Sequence, residues 1–356
     1  MIDFLVIGGG IAGVSAAARL SELGSVTLLE AEDALAYHAS GRSAALFEQN
    51  YGKPSTVALN KVSADFHREA GVLSARGLLL VGTAEEASAF GADVTDMQLE
   101  TISVREARDL IPILDSAVID RAAYDEQAWD IDTDKLVQTF AKMLRANGGQ
   151  VVAKAQVTAI TRDGTGWAVT AGGEDYSARH IVNAAGAWVD QIAQMAGITP
   201  LGVTPLRRSM AVIPAPAGHD VGGWPMLFGP GEDWYAKPAG GALLVSPAEE
   251  EPCDPHDAYA DDLTLAEGIA RFEAHVTVEV TRLQSSWAGL RTFAPDLSLV
   301  LGAEPADATF IWCAGQGGYG MQSSPGASAL LADLVAGRQP ALDAATVAAL
   351  SPGRFR

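Results

Sequence analysis

The chain has 356 residues, enough for two domains or one large domain with an insertion, and 48% hydrophobic and 19% charged content describes an ordinary globular protein. A net charge of −20 argues against nucleic acid and anionic membrane surfaces as partners, because both are held by basic patches. Cys253 and Cys313 stand far apart in no metal-ligand spacing. No disulfide framework, metal, leader or integral membrane segment is therefore expected, which fits the cytoplasm and leaves open peripheral contact with the inner membrane.

Residues 1–7 are a short apolar run with the composition of a buried parallel strand. Gly8-Gly9-Gly10-Ile11-Ala12-Gly13 follows, and residues 14–23 show helical apolar spacing. Glycines 8, 10 and 13 stand in GxGxxG register. Gly8 permits the tight turn, Gly10 lets backbone approach a pyrophosphate, and Gly13 lets helix and strand pack closely. The helix start at Ile11 and Ala12 offers free N–H groups to phosphates. Residues 25–29 predict a second strand ending at Glu30, followed by Ala31, and an acidic side chain here holds a ribose 2′-OH. This order of elements predicts a dinucleotide site. The loop that follows carries Ser40, Gly41, Arg42, Ser43 and Ala44, small residues around one cation that suit phosphates and a flavin ring. His38 reads as structural.

Helices are predicted over residues 54–69, 84–90, 104–110 and 135–146. The last is strongly amphipathic, with Leu136, Phe140, Met143 and Leu144 on one face and the polar residues of 129–134 as N-cap chemistry. Residues 78–81 read as a strand, and residues 150–153 rejoin the first sheet ahead of a hairpin. Residues 174–184 run into a small-residue turn at Ala185, Gly186 and Trp188. Between 204 and 246 the pattern is antiparallel, with Arg207 and Arg208 on its first strand; a helix follows at 263–275 and another strand at 287–293. Short strands at 299–302 and 310–314 precede Gly315-Gln316-Gly317-Gly318-Tyr319-Gly320, which opens the final long helix. The expected fold is α/β: a discontinuous Rossmann-like domain (1–76, 137–204, 292–356) with an inserted, largely antiparallel α+β substrate domain (77–136, 205–291). A ligand would lie at the sheet's carboxyl edge.

The GGGIAG start, the Glu30 strand end, Gly41-Arg42-Ser43-Ala44, the stretch from Val182 to Trp188, Trp287-Ala288-Gly289-Leu290-Arg291 and the glycine run before the last helix together resemble the D-amino acid oxidase superfamily of FAD enzymes. The likeness runs along essentially the whole chain and within the superfamily is nearest to the bacterial D-arginine dehydrogenases. It implies non-covalent FAD, with Val157, Gly317, Gly318, Tyr319, Gly320, Met321, Gln322 and Arg291 joining the residues above as contacts. Thr292, not a cysteine, stands where some relatives attach the flavin covalently. The resemblance also implies that Arg208, Tyr235 and Arg291 hold a substrate carboxylate, that the Gly318 carbonyl faces the amine, and that Tyr51 sits on a mobile loop over the site. Guanidinium forks and a phenol suit a planar carboxylate.

Two departures bear on the substrate. Leu78 stands where arginine-selective relatives carry a glutamate, and Leu46 where they carry a histidine; Met226 and Phe228 would line the same pocket. A D-amino acid with an apolar or aromatic side chain is expected, with Glu48 the nearby residue that could restore preference for a basic one. The implied reaction moves a hydride from Cα to flavin N5 and gives an imino acid that hydrolyses to a 2-oxo acid and ammonia, with O2 or a quinone as the electron acceptor. The alternatives are a glycine, sarcosine or other secondary amine oxidase, and a non-catalytic flavoprotein serving assembly or electron transfer. An NAD-dependent dehydrogenase is disfavoured by the loop after Glu30 and the C-terminal glycine-rich helix start.

Overall fold

The computed structural model describes residues 1–164 and 166–356; residue 165, within the stretch expected to form a hairpin, lies outside them. The strand Ile2–Ile7 is at the centre of an eight-stranded sheet, parallel to Val26–Leu29 on one side and Glu174–Asn183 on the other. Gln150–Val152 extends the sheet beyond Val26–Leu29, and Asp307–Ala314 joins Glu174–Asn183 in parallel. The continuous apolar run of the first strand is explained by burial on both faces. On one face pack the helices Ile11–Leu20, Thr133–Ala146 and Gly320–Ala336, around Val6, Leu28, Phe140 and Leu331. On the other, Leu5, Ile7, Trp167 and Trp312 pack with the helix Val189–Met195. The glycine turn after Ile7, Ala184 and Gly315 all follow the carboxyl ends of parallel strands, which places the crevice.

A second, nine-stranded sheet runs from Glu251–Pro252 through Thr204–Pro214, Ala242–Ser246, Tyr235–Ala239, Met226–Phe228 and Leu78–Gly82 to Arg121–Asp125 and Glu100–Ile102; Ser285–Phe293 also pairs with Thr204–Pro214. It is antiparallel except where Met226–Phe228 lies parallel to Leu78–Gly82, with Met226 opposite Leu78. That pairing joins segments distant in sequence and assembles one wall of the site.

Two expectations are revised by the structure. Trp129–Ile131 is a strand in a small three-stranded sheet with Leu46–Phe47 and Leu73–Ala75, and only Asp132 caps the next helix, accepting from the Lys135 amide at 2.9 Å. Asp130 instead forms ion pairs with Arg76 (2.6 Å) and Lys237 (2.8 Å), because the strand half-buries it where a carboxylate gains from partners. The helix expected over 84–90 begins as a 3-10 turn, Ala84–Glu86, capped by Thr83, and runs on as the α-helix Ala87–Asp96. The final long helix is Gly320–Ala336, as expected; Gly337 ends it with a left-handed turn, and the short helix Ala344–Leu350 follows, capped by Asp343.

Candidate active site

The glycine turn has the tight geometry its motif demands. Gly8 has φ +106°, and a Cβ on Gly13 would stand 1.8 Å from the Gly8 carbonyl oxygen, so the helix rests directly on the turn. Glu30 accepts from the Gly9 amide at 2.6 Å and from the Glu32 amide at 2.9 Å, which joins the second strand end to the turn. The helix starting at Ile11 has no side-chain cap at Gly10; the Ile11 amide donates to Ser40 Oγ at 2.9 Å, and that bond brings the following loop over the helix start.

These residues open onto a cavity of about 530 Å³. Gly8, Gly10, Ile11, Ala12, Glu30, Ala31, Ser40, Arg42, Val157, Ala185, Gly186, Trp188 and Gly317 all line it. A smaller cavity of about 110 Å³ continues from it past Ile11, Ser40, Arg42 and Gly317 to Ser43, Ala44, Gly318, Gly320 and Met321. Gly13 and Gly41 instead act through packing: a Cβ on Gly41 would meet the Ala36 carbonyl at 2.3 Å. Tyr319 is absent from the lining and packs on Tyr51 at 5.1 Å between ring centroids. FAD fits this arrangement. An uncapped helix start suits a pyrophosphate, a carboxylate at the strand end suits ribose hydroxyls, and the cavity narrows toward small residues where a flat ring needs room.

Beyond lies a third cavity of about 100 Å³, lined by Leu46, Glu48, Tyr51, Leu78, Met226, Phe228, Tyr235, Arg291, Gly318 and Gln322. Tyr235 and Arg291 line this cavity and the middle one. The Arg291 guanidinium lies against Gly318, where a Cβ would come within 2.9 Å of Nη1. No described residue forms an ion pair with Arg291, whereas Arg42, Arg76, Arg207 and Arg208 are all paired. Burial alone would lower its pKa, but Tyr51, Tyr235 and Glu232 raise it above the ordinary arginine value, so it is a permanent cation. Burial, then Glu232, hold the Tyr51 phenol well above its ordinary range despite Arg291, so it remains a hydrogen-bond donor.

Arg208 sits one cavity back. It lines only the middle chamber, donating from Nε to the Glu249 carbonyl at 3.0 Å and from Nη2 to Glu250 at 3.1 Å, with Nη1 buried and unpartnered. The middle chamber thus holds Arg208, Tyr235 and Arg291 together, and the third cavity adds Tyr51 to Tyr235 and Arg291. Arg42 donates to the Ala258 and Ala288 carbonyls at 2.9 and 2.8 Å and pairs with Asp257, fastening residues 257–258 beside the large cavity. His38 meets Glu32 at 2.9 Å and packs on Trp188, a structural arrangement at the cavity wall.

Sequence reasoning missed Glu232. It lines the third cavity and accepts from the Tyr51 hydroxyl at 2.7 Å, joining the Tyr51 loop to the inserted sheet. It has φ +55° in a Gly-Pro-Gly-Glu turn, where neither periodicity nor spacing marks a side chain as functional. Among the described residues no cluster of three or more His, Cys, Asp or Glu could hold a metal, and no helix is long and apolar enough to cross a membrane.

A dinucleotide-sized cavity leading into a small chamber with an unpaired arginine fits a flavin cofactor beside a small-molecule site. The chain belongs to the family described as FAD dependent oxidoreductase, DAO, whose model matches residues 3–334. It is 24% identical to FAD-dependent oxidoreductase domain-containing protein 1 of Bos taurus, an alignment covering 94% of this chain and 81% of that protein. Its fold matches L-proline dehydrogenase from P. horikoshii with a TM-score of 0.85 at 21% identity, covering 99% of this chain and 97% of that one. It also matches glycine oxidase from Geobacillus kaustophilus, with a TM-score of 0.80 at 22% identity and 97% of each chain covered.

Proposed function

We propose that this protein oxidises the Cα–N bond of free D-amino acids, giving 2-oxo acids and ammonia. The observation that carries the reading is the unpaired Arg291 guanidinium between Tyr51 and Tyr235 at the junction of the middle and third cavities. A guanidinium fork with a phenol donor beside it is a receptor for one planar carboxylate. The chamber of about 100 Å³ has room for one small molecule. Leu46, Leu78, Met226 and Phe228 give the side chain an apolar wall.

Bound FAD supplies the hydride acceptor. The protein fixes the carboxylate through Arg291 and Tyr235, closes the chamber with Tyr51 against Glu232, and presents the Gly318 backbone beside the guanidinium. Holding the substrate at two ends reduces the entropy lost on reaching the reactive geometry. A substrate amine bound neutral leaves its lone pair for the forming C=N bond, so no side chain must act as a base. Water then hydrolyses the imino acid. We read FAD as non-covalent because Cys313 is buried against the first helix and Cys253 lies on a segment outside the cavities. In this reading residues 1–76, 137–204 and 292–356 bind the cofactor, and the inserted residues share the substrate wall with the loop that carries Leu46, Glu48 and Tyr51.

Preference for the D-enantiomer rests on the likeness of Arg208, Tyr235, Arg291 and Gly318 to D-arginine dehydrogenase. The second reading is a glycine or secondary amine substrate, favoured by the small chamber and by the similarity in fold to enzymes named for glycine and L-proline. Product analysis separates them. A D-amino acid should yield its 2-oxo acid and ammonia in equal amounts; turnover of glycine, sarcosine or L-proline alone contradicts the first reading.

A further inference from the structure

Glu48 is the carboxyl group that the reading above leaves without a task. It is 3% exposed yet lines the third cavity. One oxygen accepts from the Asn50 amide at 2.9 Å and shapes the turn into Tyr51. The other, Oε2, is buried with no partner in the protein. A turn alone explains the first oxygen and not the second, and buried carboxylate oxygens are normally satisfied.

Its position within the cavity follows from its neighbours. The charges that act on Glu48 are Asp125, on the strand Arg121–Asp125, and Lys61, on the helix Pro54–Glu69. Asp125 is paired across the sheet with Leu78. Glu48 lines the same chamber as Arg291, with Leu46, Leu78, Met226 and Phe228 as its apolar remainder.

We propose that Glu48 is a specificity-determining residue whose free oxygen receives a cationic hydrogen-bond donor at the tip of the substrate side chain. The substrate is then an amino acid with an aliphatic body and an ammonium tip, selected over an apolar one of equal length. This rests on the amino acid oxidation proposed above and narrows its substrate. Burial pushes the Glu48 carboxyl up to about 7, against the partial offset of the Asn50 amide. A cationic tip favours the ionised form, so binding releases a proton and KM for such a substrate falls as pH rises toward 7 and above. An apolar substrate of the same length has no such dependence through this group.

The test uses the holoenzyme and the isosteric pair D-ornithine and D-norleucine, with anaerobic flavin bleaching as the readout across pH 6 to 8.5. Wild type should favour D-ornithine on the order of 10- to 100-fold in kcat/KM, expressed mainly in KM. Glu48→Gln, which keeps an acceptor for the Asn50 amide, should lose most of that preference and its pH dependence; Glu48→Leu should invert it. Unchanged flavin absorbance and melting temperature in Glu48→Gln exclude a folding defect. Wild type favouring D-norleucine, or a preference and pH profile unmoved by Glu48→Gln, overturns the role of Glu48 and leaves amino acid oxidation standing. No bleaching by any amino acid overturns both.

Discussion

Gly13→Ala is the sharpest test of the cofactor cradle. The new Cβ would stand 1.8 Å from the Gly8 carbonyl oxygen, 3.0 Å from its carbon and 3.3 Å from Ala184 Cβ, and the first two are backbone atoms that cannot rotate away. Ordinary contact begins at 3.4 Å, so the helix Ile11–Leu20 must retreat by about 1.6 Å or the turn must open. Overpacking of this kind costs ~1–3 kcal/mol in a buried core, and the shift falls on the helix start where phosphates bind. The expected outcome is a protein purified with little or no flavin and a melting temperature lower by on the order of 5 °C. Gly91→Ala, in the exposed helix Ala87–Asp96 with nothing within 4 Å of its Cβ, is the control. It should retain flavin and gain about 0.5–1 kcal/mol. Flavin absorbance at full occupancy and an unchanged melting temperature in Gly13→Ala would refute the argument.

Arg291→Lys keeps the charge and removes the fork, so kcat/KM should fall on the order of 100-fold with flavin content intact; a loss under threefold would count against the carboxylate receptor. Glu48 also sets a pH dependence of stability. Its folded-state carboxyl titrates at about 7 against an ordinary 4.5, so the folded protein holds a proton the unfolded chain has released. The stability it contributes is full below the unfolded value and lost as pH rises through the folded one, by up to about 3 kcal/mol. Urea unfolding at pH 5 and pH 8 should show this loss in wild type and less of it in Glu48→Gln; parallel changes in the two would contradict the shift. Lys237, buried and donating to the Ala44 and Ala45 carbonyls at 2.9 and 2.8 Å beside its Asp130 ion pair, ties the cofactor loop to the inserted sheet. Lys237→Met should cost roughly 3–5 kcal/mol and loosen the flavin, measured by its dissociation on dilution; retention of both would show that the loop is held elsewhere.

What could be read from the chain was what repeats or punctuates locally. The glycines from Gly8 to Gly13 and the acidic strand end at Glu30 constrain backbone approach within a few residues, and in the structure Gly13 lies against the Gly8 carbonyl and Glu30 accepts from the Gly9 amide. The helix Thr133–Ala146 was visible because its apolar positions follow a 3.6-residue period. Pairings across long separations left no local pattern: Met226 lies beside Leu78, and Trp129–Ile131 is a three-residue strand too short to show alternation. Glu232 escaped because a non-glycine residue at positive φ is set by its surroundings. Glu48 was noticed in sequence, but its unpartnered oxygen is visible only once burial is known. The partners of Arg208 were hidden for the same reason: the Glu249 carbonyl and the Glu250 carboxylate reach it from another strand's end.

The central claim is that the chamber beside Arg291 oxidises a free amino acid of D configuration. Anaerobic flavin bleaching against paired D- and L-amino acids, glycine and sarcosine tests it directly. Rapid bleaching by D-amino acids, slow or absent with their L-enantiomers, is the predicted result. Bleaching by L-amino acids, glycine or sarcosine with none by any D-amino acid would contradict it, as would a flavin-loaded protein that no amino acid reduces.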